Sequence, residues 1–121
     1  MARDPRHIER LPGILGAAAV LAFWASGTAL HASSVEQARI VRLAVRTDGI
    51  AFVAVSRSKT ANPQCSANGE WHYTFSTTTP AGAAVLATAI TAKSTGAYVR
   101  VYGQDNCTVY PGIEDLWYVD L

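Results

Sequence analysis

Two hydrophobic regimes divide the chain near residue 32. Before it lies one unbroken apolar run, ILGAAAVLAFWA from Ile14 to Ala25; after it apolar and polar positions alternate. From Arg39 to Arg46, Val41, Leu43 and Val45 share one face while Arg42, Ala44 and Arg46 share the other, the period of a strand with one side buried. Thr47-Asp48-Gly49 follows, where Asp-Gly supplies the positive φ a tight hairpin needs, and Ile50 to Val55 reads as the returning strand. Ser56 to Gly69 is a polar loop carrying the turn signals Asn62-Pro63 and Asn68-Gly69. Trp71, Tyr73 and Phe75 then alternate with Glu70, His72 and Thr74, a third strand with an aromatic face.

The period lengthens at Thr79-Pro80. Threonine is a good N-cap, and proline fits the first helical position, where its missing N–H costs nothing. Gly82, Val85, Leu86, Ala89, Ile90 and Lys93 recur at helical spacing until Gly96 stops the helix. Ala97 to Tyr102 returns to period two, with Val99 and Val101 inward and Tyr98, Arg100 and Tyr102 opposite. After a loop from Gly103 to Gly112, Asp115 to Leu121 alternates Trp117, Val119 and Leu121 against Leu116, Tyr118 and Asp120. The order β-β-β-α-β-β predicts a mostly β fold with one helix, a five-stranded OB-fold-like barrel. An α+β sandwich fits the same periodicity.

The first segment points to export. Arg3, Arg6 and Arg10 precede the apolar run, and the small residues Ser26-Gly27-Thr28-Ala29 follow it, the layout of a secretory signal peptide. Leu30-His31-Ala32 places cleavage before Ser33, with Gly27-Thr28-Ala29 as a second option. The run is short for a membrane span, which needs about 20 apolar residues. Expected are a signal peptide over 1–32, a single domain over 33–121, and a periplasmic or secreted destination with no membrane attachment after cleavage.

In the domain, Arg39, Arg42, Arg46, Arg57, Lys59, Lys93 and Arg100 match Glu36, Asp48, Glu70, Asp105, Glu114, Asp115 and Asp120 one for one. No basic cluster exists to neutralise phosphates, so nucleic acid is not an expected partner. Cys65 and Cys107 allow one intramolecular pairing, and an exported setting permits it. Closing that loop stabilises a small domain by about 4 kcal/mol in the chain-entropy model. The competing zinc site would have His72 as its one histidine and no C-x-x-C, a poor ligand set.

Catalytic chemistry finds little footing. His72 reads as a surface or barrel-wall residue, and Ser56, Ser58 and Ser66 are loop serines without a paired base. Glu114 and Asp115, as strand neighbours, face opposite ways and instead cap or salt-bridge the strand start. Arg42, Arg46 and Arg100 form a solvated face. Neither catalytic residue, metal nor cofactor is expected. The aromatic load is heavier: Trp71 and Trp117 are expected to pack in the core, whereas Tyr98, Arg100 and Tyr102 form a candidate binding surface.

The hairpin IVRLAVRTDGIAFVAV leading to Cys65-Ser66, the Thr-Gly turn before YVRVYG, and the stretch DNCTVYPGIEDLWYVDL carry a resemblance. Over Ala38 to Leu121 they resemble a family of small exported bacterial proteins similar to the OB-fold B subunits of pertussis-like and subtilase-cytotoxin-like A–B toxins. The resemblance implies the barrel, a Cys65–Cys107 bridge and assembly into a homo-oligomeric ring. Toxin members bind cell-surface glycans, but their sugar-contacting serine and its neighbours find no match here. The expectation is an exported binding module for a glycan or another exported protein. A structural protein of the bacterial envelope without ligand comes second, and a small hydrolase third.

Overall fold

The computed structural model describes residues 32–121; the expected leader, up to residue 31, lies outside the described residues. Each predicted element forms, and one strand appears that alternation did not show. The strands are β1 (Ser34–Ala38), β2 (Ile40–Val45), β3 (Ile50–Val55), β4 (Tyr73–Ser76), β5 (Val99–Gly103) and β6 (Glu114–Asp120); the helix α1 (Pro80–Thr95) lies between β4 and β5. They make one six-stranded sheet in the order β1-β5-β6-β4-β3-β2, antiparallel throughout except for the parallel pair β4–β6. The fold is mostly β with one helix, as expected, but with six strands rather than five.

β1 and β2 are the opposite edges of this sheet, yet only Arg39 separates them in the chain. The sheet therefore curls into a half-barrel whose two edges are consecutive pieces of one bent segment. Its concave side holds the core: Val35, Ala38, Ile40, Ala51, Val53, Val55, Tyr73, Phe75, Val99, Val101 and Leu116. Ala89 and Ala92 of α1 join them, with Val85 and Leu86 packed alongside. Ile90, counted on the apolar stripe by spacing, is exposed instead, because Ala89 and Ala92 take the inner positions.

Local signals close the elements as read. Gly49, at φ 86°, turns the β2–β3 hairpin, with Arg46 donating to the Ile50 carbonyl at 2.9 Å. Thr79 caps α1 by accepting from Gly82 N at 2.9 Å, and Gly96 ends it with its N–H on the Ala92 carbonyl. Cys65 and Cys107 are bonded, joining the β3–β4 loop to the β5–β6 loop.

Bulges explain where alternation misleads. Ile40 pairs with Val55 but Arg42 pairs with Ala54, so Val41 is an extra residue and points outward. Of the predicted inward trio, only Leu43 packs on the core; Val45, at the far end of an edge strand, is half-exposed. β1 skips from Val35 to Ala38 against Val101 and Val99, which buries two residues three apart and hides the strand from a period-two reading. In β6, Tyr118 pairs with Tyr102 and Leu116 with Gly103, so the bulge falls at Trp117.

Candidate functional site

β6 carries two different surfaces, one on each side of its bulge. Without the bulge, Leu116 and Tyr118 would share a face. With it, Leu116 and Val119 both turn to the core while Trp117 and Tyr118 both turn out. Trp117, expected in the core, is 63% exposed. A bulge re-aims a side chain at the cost of a ladder hydrogen bond, and such sites are over-represented next to functional ones.

The outward residues build an aromatic platform. Tyr102 on β5 stacks on its cross-strand neighbour Tyr118, with centroids 4.8 Å apart and planes 18° apart, and Trp117 meets Tyr118 edge-on at 5.2 Å. One strand position along, Arg100 is paired with Asp120, its Nε donating at 3.1 Å. The hydrogen bond that Arg100 donates to Asp120 holds the guanidinium above its ordinary pKa, helped by the charges of Asp120, Tyr102 and Glu36. The platform thus offers ring faces beside a fixed donor and acceptor.

Arg100 and Tyr102 share the outer face of β5 and Tyr98 immediately precedes that strand, but the three do not form one patch. Tyr98 and Tyr102 are four residues apart, about 13 Å along a strand. Arg39 stacks on the Tyr98 ring, its guanidinium carbon 4.5 Å from the centroid, and leaves Tyr98 59% exposed. Tyr102 belongs with Tyr118 and Trp117 instead. The residues missed by sequence reasoning are these two, because strict alternation assigns them to opposite faces.

A second aromatic group covers the outside of β3. Trp71 is half-buried against Phe52 at 5.6 Å, and Tyr110 meets Phe52 edge-on at 5.1 Å. Trp71 therefore packs outside the main core, contrary to expectation, with Arg42 stacked on it at 4.2 Å. Arg42 is bridged to Glu70 and Arg46 to Asp48, so the solvated arginine face is tied down by its neighbours.

The inner side of β6 is different. Glu114 is completely buried. Its Oε1 accepts from Lys59 Nζ at 3.1 Å and from the Ser33 hydroxyl at 2.6 Å; its Oε2 accepts from the backbone N–H groups of Ser33 at 3.2 Å and Asp105 at 3.0 Å. The Ser33 hydroxyl donates its one hydrogen bond to Glu114, so the Tyr73 hydroxyl, 2.7 Å away, must donate to Ser33. Lys59 also donates to the His72 carbonyl at 3.0 Å, and its ammonium sits 4.7 Å from the Tyr73 ring centroid. Asp105 adopts φ 64°, which aims its N–H at Glu114. Gly103 makes room: a Cβ there would stand 2.0 Å from Glu114 Oε2.

These groups titrate as burial dictates. Desolvation pulls Lys59 below its ordinary pKa, opposed by the hydrogen bond and charge of Glu114. Desolvation pushes Tyr73 up, against the hydrogen bond to Ser33 and with the charge of Glu114. The pairing that sequence reasoning offered Glu114 is present, and its partner is Lys59, a loop residue that no local pattern marks. Asp115 turns the other way and takes the capping role, accepting from the N–H groups of Thr108 and Val109 at 3.0 Å and from the Thr108 hydroxyl.

His72 is half-buried, and its Nδ1 accepts from Val55 N at 3.2 Å. Ser56 accepts from Arg39 N at 2.9 Å and Ser66 receives Lys59, so both serve local structure. Among the described residues, no group of three or more His, Cys, Asp and Glu side chains could hold a metal ion. Compared with protein-family models, with curated proteins and with solved structures, the chain matches none.

Proposed function

We propose that the protein is an exported, non-catalytic binding module whose ligand surface is the platform of Tyr102, Tyr118 and Trp117, with Arg100 and Asp120 at its side. The observation that carries this reading is the β6 bulge. It spends a ladder position to hold a tryptophan 63% exposed, where one edge-on contact with Tyr118 is all it gains for the fold. A glycan suits the chemistry: apolar C–H faces lie on aromatic rings, and hydroxyls bond to a carboxylate and a guanidinium fixed together. The disulfide accords with export, and no helix among the described residues is long and apolar enough to cross a membrane.

The OB-fold reading belongs to the same proposal. In its support, β1 and β2 act as two halves of one bent strand, which reduces the sheet to five strands closing on themselves, with α1 between the third and fourth. A likeness to A–B toxin B subunits follows that reading and would make the module a delivery or attachment subunit.

Glycan-array binding of the purified domain tests the function. Binding should fall on the order of tenfold or more in Trp117→Ala and Tyr118→Ala. Glycan binding that survives both substitutions moves the site elsewhere. Silence on glycans, combined with a wild-type oligomer that Trp117→Ala converts to monomer in sedimentation, would replace the ligand with a second copy of the chain.

A further inference from the structure

The Glu114 carboxylate is unevenly served. Oε1 has a cation, Lys59, whereas Oε2 has only two neutral backbone N–H groups, from Ser33 and Asp105. One of these belongs to the residue at which the sequence places the start of the exported domain. Ser33 is held independently of anything before it: its carbonyl accepts from Gly103 N at 2.9 Å, its hydroxyl lies between Glu114 and Tyr73, and Ser34 is bonded in both directions to Thr60. Ala32 lies in a cleft between the two disulfide-joined loops, lined by Thr60, Asn62 and Cys65 on one side and by Asp105 and Cys107 on the other.

We propose that hydrolysis of the Ala32–Ser33 peptide bond turns the Ser33 nitrogen into an α-ammonium that docks on Glu114 Oε2, so that processing supplies the second cation of the buried site. Water is the co-reactant and an export-associated peptidase the catalyst. The C–N bond breaks, the carboxylate leaves with Ala32, and the amine takes up a proton. The nitrogen already stands 3.2 Å from Oε2, inside ion-pair range, so no rearrangement is needed. The charges facing it are Glu114 from β6 and Lys59 from the β3–β4 loop, with the Tyr73 hydroxyl on β4. Glu114 then meets two cations, Lys59 on Oε1 and the α-ammonium on Oε2, in place of one. Ser33 is fully buried in the folded domain, so cleavage precedes folding, and the domain closes on its own new terminus.

This inference rests on the export reading, and one experiment separates the two. The chain is expressed from Met1 in an exporting bacterial host, and the product's intact mass gives its first residue. Its α-amine is then acylated with an amine-selective ester, folded and in denaturant. The expected result is a product beginning at Ser33 whose α-amine reacts at least about tenfold more slowly when folded than when unfolded. A variant with one alanine inserted between Ala32 and Ser33, designed to leave that extra residue in front of Ser33, keeps Glu114 and Lys59. Its amine should react at the unfolded rate, and its urea midpoint should drop below wild type. An intact Met1 in the membrane fraction overturns the export reading. A mature product beginning elsewhere than Ser33, or beginning there with a freely reactive amine, overturns the docked terminus while leaving export standing. Equal urea midpoints for wild type and the insertion variant overturn it as well.

Discussion

The two halves of β6 solve opposite problems. Its first residue, Glu114, puts a charge where apolar atoms belong; three residues later, Trp117 puts an apolar ring where water belongs. The inner violation is answered inside the molecule, since each Glu114 oxygen accepts two hydrogen bonds and Lys59 matches its charge. The outer violation is answered only in part: Tyr102 and Tyr118 cover each other, and Trp117 gains an edge contact. A buried polar group that is fully satisfied reads as architecture, and an exposed aromatic left unsatisfied reads as an invitation to a partner. Mutations should separate the two by whether they strike stability or binding.

The largest effect is expected at Glu114. Glu114→Gln removes one member of a buried ion pair and leaves Lys59 without compensation, which costs about 3–5 kcal/mol. Adding Lys59→Met to Glu114→Gln should recover part of that loss, because the Lys59 charge is no longer stranded. Urea denaturation of the single and double variants checks this. A double variant that is worse by the sum of the two singles would mean the pair acts as two unconnected contacts.

Cys107→Ser comes next, at about 2–5 kcal/mol, since it frees the two loops that frame the same buried cluster. Reduction of the wild-type protein should lower its denaturation midpoint to match. Gly103→Ala tests the interior by overfilling it. Its Cβ would meet the Glu114 carboxylate at 2.0 Å and should cost about 1–3 kcal/mol. In a background where Glu114 is already glutamine, the penalty should persist, because the clash is steric and not ionic.

How far the sequence anticipates this contrast depends on the range of the interactions. The Asp48-Gly49 hairpin, the Thr79 and Gly96 caps and the inward Val99 and Val101 follow from neighbours within a few residues, and all are found. The bulges at Gln37, Val41 and Trp117 depend on which partner strand a residue meets, and that is set by the whole sheet. Both the missing sixth strand and the reversed orientation of Trp117 come from this single cause. The buried cluster draws Ser33, Lys59, Tyr73 and Glu114 from four separate segments. Only the glutamate at the start of an apolar strand hints at it in one dimension.

On the outer side the stability effects shrink. Trp117→Ala gives up one edge-on aromatic contact and should change stability by no more than about 1 kcal/mol while lowering glycan binding about tenfold or more. A large loss of stability in this variant would make the tryptophan part of the fold and erase the distinction between the two faces.

The smallest effect concerns His72, which stands behind the buried cluster. Burial, and secondarily the charge of Lys59, hold its pKa below the ordinary 6.5, and its Nδ1 lone pair is committed to Val55 N–H. The folded state therefore resists protonation where the unfolded chain accepts it. Above pH 6.5 neither state is protonated and the contribution is fully present. As the pH falls through 6.5 toward the lower folded value, the unfolded chain binds a proton that the folded one does not, and stability declines. His72→Asn keeps an acceptor for Val55 but cannot titrate, so its stability should vary less over that acid window than wild type, with the two curves parallel above it. Thermal melts across the window measure this. Curves that stay parallel throughout would mean that His72 changes protonation equally in both states, and that the charge of Lys59 is spent on Glu114 alone.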